Sequence, residues 1–389
     1  MPLSEWIKEQ GLAAGFDRVG LAPAGDLPEL AFLPQWLERG YAGQLDYMHN
    51  PQRGDVRALW PEARSVICCA LVYDTDQPRS TVLPRHPERG WLSRYAWGDD
   101  YHHVVREKLE ALRSALDDKV GPGFESRAYV DTGPVLERVY AHHAGLGWLA
   151  KNTCLLDAEL GSFFFLGVLL TNLELEIDTP PPDGCGACTL CLEACPTGAL
   201  VEPYVLDARR CLSYLTIELR DAIPEEFRAP MGQHVFGCDI CQDVCPYNQR
   251  SPRTREPAFL PRTVEKGEEA GKAKSEIRKA KSGKVTGHGP RVEEHESLLS
   301  PRLDFLASLT QDSFRRIFKN SAVKRAKHRG LLRNTLLAMG NSGNRKFRPL
   351  LEKFATSPDP LFAEHARWAL QRLQSACYRS NSGPPRARR

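Results

Sequence analysis

Eight of the 12 cysteines lie in one window of 61 residues, and their spacing points directly to chemistry. The first run has the pattern C-x2-C-x2-C-x3-C followed by proline, and it consists of Cys185, Cys188, Cys191 and Cys195. The second run repeats the end of this pattern, again followed by proline, and it consists of Cys238, Cys241 and Cys245. Three thiolates on one short loop can bind three corners of a 4Fe–4S cubane. The spacing therefore predicts iron–sulfur clusters.

The number of cysteines matches the ligand requirement of two cubanes. The second run lacks its first cysteine because position 235 is valine, and Cys211 is the unassigned cysteine nearby that can replace it. In tandem runs of this type, the fourth cysteine ligates the other cluster. We therefore predict one cluster on Cys185, Cys188, Cys191 and Cys245, and the other on Cys195, Cys211, Cys238 and Cys241. Structural zinc, the alternative, favours separated C-x2-C pairs and needs no third close cysteine.

A second candidate is the single carboxyl group of Asp131, in the segment YVDTGPVLER. An aspartic-protease role is excluded, because that chemistry needs two such carboxyl groups sharing a proton and only one copy of the segment exists. The sequence alone favours a cap, Asp131 or Thr132, for a helix that begins at Pro134. The functional alternative is a carboxyl group at the end of a strand, where α/β sheets place active sites. A helix N-terminus would lower the pKa of this carboxyl group, whereas a large apolar cofactor above it would raise that pKa.

The elements that must position these residues suggest several domains. A chain of 389 residues with 42% apolar and 26% charged residues is expected to form two or three globular domains. Strands are predicted at 18–21, 65–73, 127–130 and 163–175, and helices from Ser4, at 99–120 and at 134–145. This alternation indicates an α/β domain over 1–178.

The rest of the chain divides by composition. A cysteine-rich module is predicted over 179–250, and a linker with a peripheral, mobile charged insertion over 251–297. Residues 298–376 have the apolar spacing of two or three antiparallel helix pairs, and 377–389 are predicted to be a disordered tail.

The charge distribution indicates a polyanionic partner. The net charge is only +3, but residues 313–351 contain 11 Lys and Arg and no Asp or Glu. The candidates for contact with a phosphate backbone include Lys324, Arg325 and Lys327. The N-terminus lacks the pattern of a signal peptide, and no apolar run approaches the ~18 residues of a membrane helix. We expect a cytoplasmic protein that does not contact a membrane.

Eight segments resemble the epoxyqueuosine reductases, which act last in the synthesis of queuosine in bacterial tRNA. They cover nearly the whole chain: SRYAWGDDYH (93–102), YVDTGPVLER (129–138), GLGWLAKNT (145–153), GSFFFLG (161–167), CLSYLTIE (211–218), FGCDICQDVCPYN (236–248), FKNSAVKRAKHRGLLRN (318–334) and LAMGNSG (337–343). The resemblance implies a nitroreductase-like α/β domain that binds base-off cobalamin, a dicluster ferredoxin module, and a HEAT-like helical domain that helps to hold tRNA.

The resemblance also implies an activity, partners and site residues. The activity is reduction of an epoxide to an alkene with two electrons, two protons and loss of water. The substrate is tRNA with epoxyqueuosine in its anticodon loop, the electron donor is a flavodoxin or ferredoxin, and the enzyme is a monomer. Asp131 matches the proton donor beside the cofactor. The other matched positions line the cobalamin or contact tRNA: Ser213, Cys238 and Asp239 for the cobalamin, and Arg220 for tRNA.

Two other classes of protein remain as alternatives. A reductive dehalogenase would share the cofactors, but such enzymes usually carry a twin-arginine leader and have no reason to carry a basic helical domain. A non-catalytic electron carrier would not need some 180 residues of α/β domain, and an RNA-binding iron–sulfur protein would not need two clusters in relay.

Overall fold

The computed structural model describes residues 1–82, 86–265 and 295–381. Its N-terminal part contains a four-stranded sheet and small ribbons formed by strands β1 (Arg18–Pro23), β2 (Ser65–Val72), β3 (Trp91–Leu92), β4 (Ser126–Tyr129), β5 (Trp148–Leu149), β6 (Leu155–Leu156) and β7 (Phe164–Thr171). The helices of this part are α1 (Leu3–Ala13), α2 (Phe32–Glu38), α3 (Val56–Leu59), α4 (Tyr101–Val120) and α5 (Glu137–His143). The four predicted strands are confirmed, each with small shifts of its ends.

The main sheet has the order β1-β2-β7-β4, and each neighbouring pair is antiparallel. All eight residues of β2 are buried, and alternate side chains enter two different hydrophobic cores. One core contains Cys68 and the apolar side of α5, and the other contains Cys69 and the apolar side of α4. The sheet is therefore the middle of three layers, and both of these cysteines are core residues, as the apolar run predicts.

The cysteine-rich part consists of short elements joined by turns. Its helices are α6 (Leu190–Ala194), α7 (Leu212–Ile217), α8 (Glu225–Arg228) and α9 (Ile240–Asp243), and its strands are β8 (Leu200–Glu202), β9 (Val205–Leu206) and β10 (His234–Phe236). Strand β10 pairs in parallel with β3, which belongs to the N-terminal part of the chain. This pairing joins the cysteine-rich part to the sheet domain.

The C-terminal part is helical beyond a short ribbon. It comprises β11 (Thr263–Glu265), β12 (His295–Ser297), α10 (Leu303–Ser308), α11 (Gln311–Ile317), α12 (Lys327–Ser342), α13 (Arg348–Ala355) and α14 (Pro360–Asn381). Helices α12 and α14 approach closely at Gly340. A Cβ atom at this position would lie only 2.7 Å from the Cα atom of Ala369, so a larger residue would not fit. The helical pattern predicted for this region is confirmed.

One hydrophobic core runs across the predicted domain boundaries. Trp91 and Trp97 from the first part pack with Phe236 from the cysteine-rich part and with Leu306 and Leu336 from the helices. A polar residue of α12 adds a hydrogen bond to this contact: the Asn334 amide donates to the Val235 carbonyl at 2.8 Å. The three parts therefore form one continuous packed body.

Two predictions concern the charged insertion and the C-terminal tail. Strands β11 and β12 pair with each other at the two ends of the charged insertion, whose interior, 266–294, lies outside the described residues. The backbone of helix α14 continues to Asn381, and the disordered tail predicted for 377–389 stays a prediction. The remainder of that tail, 382–389, lies outside the described residues.

Candidate functional site

The structure arranges the eight clustered cysteines as two groups of four. One group lines a common cavity and consists of Cys185, Cys188, Cys191 and Cys245. In the other, burial raises the pKa of the Cys238 and Cys241 thiols, and the neighbouring Cys195 and Cys211 raise it further. These groups have the composition predicted from the spacing, and their role as cluster ligands stays a prediction.

Both groups contain donors aimed at sulfur. The indole N–H of Trp148 donates to Sγ of Cys185 at 3.4 Å, and the backbone N–H of Ala199 donates to Sγ of Cys195 at 3.2 Å. Hydrogen bonds to cysteine sulfur stabilise the thiolate and tune the potential of an attached cluster. The cysteine sets therefore have the polar support that an iron–sulfur site needs.

Lys151 and Asn152 connect the two cysteine loops, and sequence reasoning did not identify them. Lys151 is 9% exposed, and its ammonium group donates to the carbonyls of Gly186 at 2.6 Å and Cys188 at 3.0 Å. The Asn152 amide donates to the Cys241 carbonyl at 3.3 Å. Both residues lie between β5 and β6. The available signal was a lysine–asparagine pair directly after the apolar segment Trp148–Ala150.

Asp131 lies in a tight turn after β4 and does not cap a helix. Leu136 occupies the N-cap position of α5, so the interpretation of Asp131 or Thr132 as a cap is wrong. The Asp131 backbone has φ +57°, and the Thr132 N–H donates to the Val130 carbonyl at 2.6 Å, which makes a three-residue turn. The side chain of Asp131 is 63% exposed and therefore open to a ligand.

Two residues of α4 contact the Asp131 carboxylate. The Tyr101 hydroxyl donates to its Oδ2 at 2.6 Å, and Nε2 of His102 lies 3.7 Å from the same oxygen. The protein around the turn opposes ionisation of Asp131, although water reaches its side chain, but the nearby His102 imidazolium and the Tyr101 hydroxyl outweigh this effect and lower the pKa of the carboxyl group. At neutral pH Asp131 is therefore a carboxylate.

His102 is the cation of this site. Burial disfavours the imidazolium, but Asp100, 2.6 Å from Nδ1, and Asp131 raise the pKa of His102 to about 9. The Nε2 atom is buried and has no hydrogen-bond partner among the residues that the structure describes. An orphaned buried donor beside an exposed carboxylate is the arrangement expected where a ligand completes the site.

The residues expected to line the cofactor lie on the cysteine-rich side. The Ser213 hydroxyl donates to the Cys238 carbonyl at 3.5 Å. The Asp239 carboxylate is buried and accepts from the Ser93 hydroxyl at 2.5 Å and the Arg94 N–H at 2.8 Å. Asp239 therefore fastens the Ser93–Arg94 segment to the cysteine loop, and this role uses both carboxylate oxygens.

Tyr95 relates the two sides of the site. Burial raises the pKa of its hydroxyl group, and the negative charges of Asp131 and Asp239 raise that pKa further. The Tyr95 ring packs against Tyr101, whose hydroxyl binds Asp131, with the ring centroids 6.2 Å apart. It also packs against Phe236, two residues before Cys238, with the centroids 5.9 Å apart.

The expected tRNA contacts differ in their availability. Two of the four candidate side chains already bind the protein: Arg220 donates to the Ile217 carbonyl at 3.0 Å, and Arg325 donates to both carboxylate oxygens of Glu218 at 2.8 and 2.9 Å. The other two, Lys324 and Lys327, are exposed and form no ion pair within the described part of the chain. Lys324 and Lys327 are therefore the free cations of this set.

The acid-free basic segment has acidic partners from elsewhere in the chain. Arg329 binds the Asp359 carboxylate at 2.8 Å, and the Lys346 ammonium binds that of Glu88 at 2.5 Å. Arg333 is fully buried and donates to backbone carbonyls, including that of Leu215 at 2.6 Å. The net basic surface is therefore smaller than the sequence count suggests.

Among the described residues, no helix combines the length and the apolar character needed to cross a membrane.

A three-layer sheet domain joined to two groups of four cysteines defines the class of iron–sulfur oxidoreductases with two clusters. A family profile described as a 4Fe-4S double cluster binding domain matches residues 184–248, and one described as epoxyqueuosine reductase QueG, DUF1730, matches residues 53–132. The epoxyqueuosine reductase of Gloeobacter violaceus is 41% identical over 346 residues, covering 88% of this chain and 98% of that protein. The chain belongs to the epoxyqueuosine reductase family.

Two solved structures have the same overall fold. An epoxyqueuosine reductase from Bacillus subtilis, whose catalytic aspartate loop is swung out of the active site, has 29% identity and a TM-score of 0.78, covering 99% of this chain and 95% of that one. An epoxyqueuosine reductase with a tRNA-Tyr epoxyqueuosine-modified stem loop has 30% identity and a TM-score of 0.77, covering 98% of this chain and 95% of that one. Membership of this family favours neither the dehalogenase nor the non-catalytic alternative.

Proposed function

We propose that this protein reduces the epoxide of epoxyqueuosine in tRNA to the alkene of queuosine. The reaction consumes two electrons and two protons and releases water. The observation that carries the proposal is family membership over 88% of the chain. The complex of a relative with an epoxyqueuosine-modified tRNA stem loop supports the choice of substrate.

The electrons pass through two 4Fe–4S clusters held by the two groups of cysteines. The match of residues 184–248 to a double-cluster domain supports this part of the proposal. Each group supplies four thiols, which is the ligand number of a cubane. Lys151 and Asn152 hold the two loops against the sheet domain, which keeps the clusters at a fixed separation. An external flavodoxin or ferredoxin would reload them.

Cobalamin is the cofactor that we propose between the clusters and the substrate. When bound, it supplies a cobalt centre that collects electrons one at a time and acts at low potential. The residues present fit such a group: Asp131 is exposed, His102 has an orphaned buried nitrogen, and Ser213 and Cys238 lie on the opposite, cysteine-rich side. Asp239 would act indirectly, because its carboxylate is already bound to Ser93 and Arg94.

Asp131 is the proposed proton donor to the departing epoxide oxygen, a general-acid role. The carboxyl group is ionised in the free protein, because His102 and Tyr101 lower its pKa. Covering its 63% exposed side chain with substrate and cofactor removes solvent and raises its pKa. Protonation of Asp131 is therefore coupled to occupancy of the site.

The C-terminal helices would hold the tRNA. We propose that they form the HEAT-like part of a monomeric cytoplasmic enzyme, and that the sheet domain is its nitroreductase-like part. The free cations Lys324 and Lys327 are the first candidates for phosphate contacts, with Arg220 and Arg325 after rearrangement of their present hydrogen bonds. Arg325 also lies over the Tyr47 ring at 5.6 Å, and the Asp131 charge contributes to its raised pKa, which supports a tRNA path from the basic surface towards Asp131.

Iron analysis tests the two clusters. Anaerobic reconstitution should give close to eight irons per chain, and Cys211→Ser should disturb the electron paramagnetic resonance signal of one cluster only. Cys154→Ser is the matched control, because Cys154 lies outside the two groups of four and should leave both signals intact. Stoichiometric zinc with little iron, or two undisturbed signals in Cys211→Ser, would show that the ligand assignment is wrong.

A further inference from the structure

Glu137 contacts the backbone of the proposed proton donor. It is the first residue of α5, and its Oε1 accepts the Asp131 N–H at 2.6 Å. Asp131 is the central residue of the three-residue turn in which the Thr132 N–H donates to the Val130 carbonyl. Glu137 thus connects helix α5 to the backbone of the turn through a hydrogen bond.

The turn needs such support. Asp131 has φ +57°, in the left-handed region that non-glycine residues rarely adopt. A three-residue turn of this hand is strained and persists only where surrounding contacts impose it. Tyr101 binds the Asp131 side chain, but Glu137 binds its backbone, and only a backbone contact restrains φ directly.

We propose that Glu137 is a positioning residue that locks the Asp131 turn and thereby sets where the Asp131 carboxyl group meets the epoxide oxygen. This inference rests on the proposed role of Asp131 as proton donor. It adds a residue that does not contact the substrate and acts through the backbone of one that does.

The electrostatic surroundings make the lock sensitive to pH. The titratable or charged groups that act on Glu137, or on which it acts, are Asp131 in the turn, Arg138 in α5, Arg53 in the turn Pro51–Gly54, Tyr101 in α4 and Cys68 in β2. Burial and then the Asp131 charge raise the pKa of Glu137 to about 8, against the opposing effects of the Asp131 N–H, Arg138 and Arg53. Glu137 is therefore largely protonated at pH 7, and its ionisation above pH 8 places a second negative charge beside Asp131.

Two variants separate the hydrogen bond from the charge. Glu137→Ala removes the acceptor, whereas Glu137→Gln keeps an acceptor oxygen and cannot ionise. In Glu137→Ala, hydrogen exchange at the Asp131 amide should accelerate about tenfold or more. Its kcat should fall by about tenfold or more, with an unchanged KM for tRNA. Glu137→Gln should restore slow exchange and most of kcat at pH 7, and should lack the inflection near pH 8 that we expect in the parent's rate profile.

The controls keep the inference distinct from the proposed function. Glu125→Ala, an exposed position beside the other end of β4, should match the parent in exchange and rate. Iron content and melting temperature show whether each variant is folded, and exchange in Glu137→Gln remains informative if the alanine variant is not. Parental exchange and kcat in Glu137→Ala would overturn the inference. If Asp131→Asn keeps full activity, the donor role fails instead, and the exchange experiment still shows whether Glu137 holds the turn.

Discussion

The Asp131 carboxyl group combines exposure with a lowered pKa, which is unusual for a proton donor. His102 and Tyr101 stabilise its ionised form, and water reaches most of its surface. A bound substrate and cofactor would change both conditions, since they displace water from the turn. Asp131 would therefore be a carboxylate in the free protein. It would take up a proton and become the acid only when substrate and cofactor are bound.

Asp131→Asn should retain iron and cofactor and lose most epoxide reduction. General acids contribute about 100- to 10,000-fold to rate, and an amide keeps the size of the side chain without its proton. Single-turnover conversion of epoxyqueuosine tRNA measures the loss. Asp118→Asn, an exposed position on α4, is the control and should react at the parental rate. A parental rate in Asp131→Asn would remove this residue from the chemistry.

At the residue scale, the sequence predicts which residues can bind a cluster. It does not predict the long-range hydrogen bonds that hold those residues in place. The cysteine groups were predictable because the spacing of thiols on a short loop limits which cluster they can bind. Lys151 and Asn152 were not, because their acceptors lie 35 and 89 residues away in the chain. His102 was not predicted either, because only the folded chain brings it beside the carboxylate of Asp131 as well as that of Asp100.

At the element scale, the apolar runs identified the strands but not their direction. Strands β2 and β7 are almost wholly buried, as is typical of parallel sheets with both faces covered. The sheet is instead antiparallel. The two strands are buried along their length because helices cover both faces of the sheet, and this burial does not indicate whether the strands pair in parallel. Helix α5 begins at Glu137, three residues after Pro134, because Leu136 has a non-helical ψ of 70°.

Helix α14 carries a buried histidine that should make its docking sensitive to acid. His365 accepts the Ile223 N–H at Nε2, 3.2 Å away, and burial lowers its pKa from 6.5 to about 4. Below pH 6.5 the unfolded chain gains a proton that the folded chain refuses, so stability falls until the pH reaches the folded pKa. Between pH 7.5 and 5.5 this histidine should cost roughly 1.4 kcal/mol of unfolding free energy.

Denaturant unfolding of the parent and of His365→Gln at both pH values measures this contribution. The glutamine variant does not titrate, so its loss of stability between the two values should be smaller by about the stated amount. His49→Gln is the control, because His49 is exposed in the turn Asp46–His49 and should leave the pH dependence unchanged. An equal loss in the His365 variant would show that this histidine is protonated in the folded protein.

At the scale of the whole molecule, residues distant in sequence share one core and one charge balance. The predicted domain boundaries follow composition, but Trp91, Phe236 and Leu336 pack in the same core. The basic segment shows the same limit, because Glu88 and Asp359 neutralise charges that the local sequence leaves unpaired. Such partners depend on tertiary structure and cannot be read from a window of sequence.

Reversing the two free cations, Lys324 and Lys327, to Glu should weaken tRNA binding and its dependence on salt. Each lost phosphate contact should reduce the log–log salt slope by roughly 0.7 to 0.9. Arg325 is left in place, since its reversal would also strand Glu218. Binding titrations at several salt concentrations give the slope. Lys353→Glu, exposed on α13, is the control, and an unchanged slope in the double variant would place the tRNA elsewhere.

Anaerobic turnover of epoxyqueuosine tRNA by the reconstituted protein, with and without cobalamin, tests the central claim most directly. With both clusters loaded and a low-potential electron donor present, the account predicts one queuosine for every two electrons consumed when cobalamin is added. Without cobalamin it predicts none. Queuosine formed at the same rate in the absence of cobalamin, or no queuosine from the fully loaded protein, would contradict it.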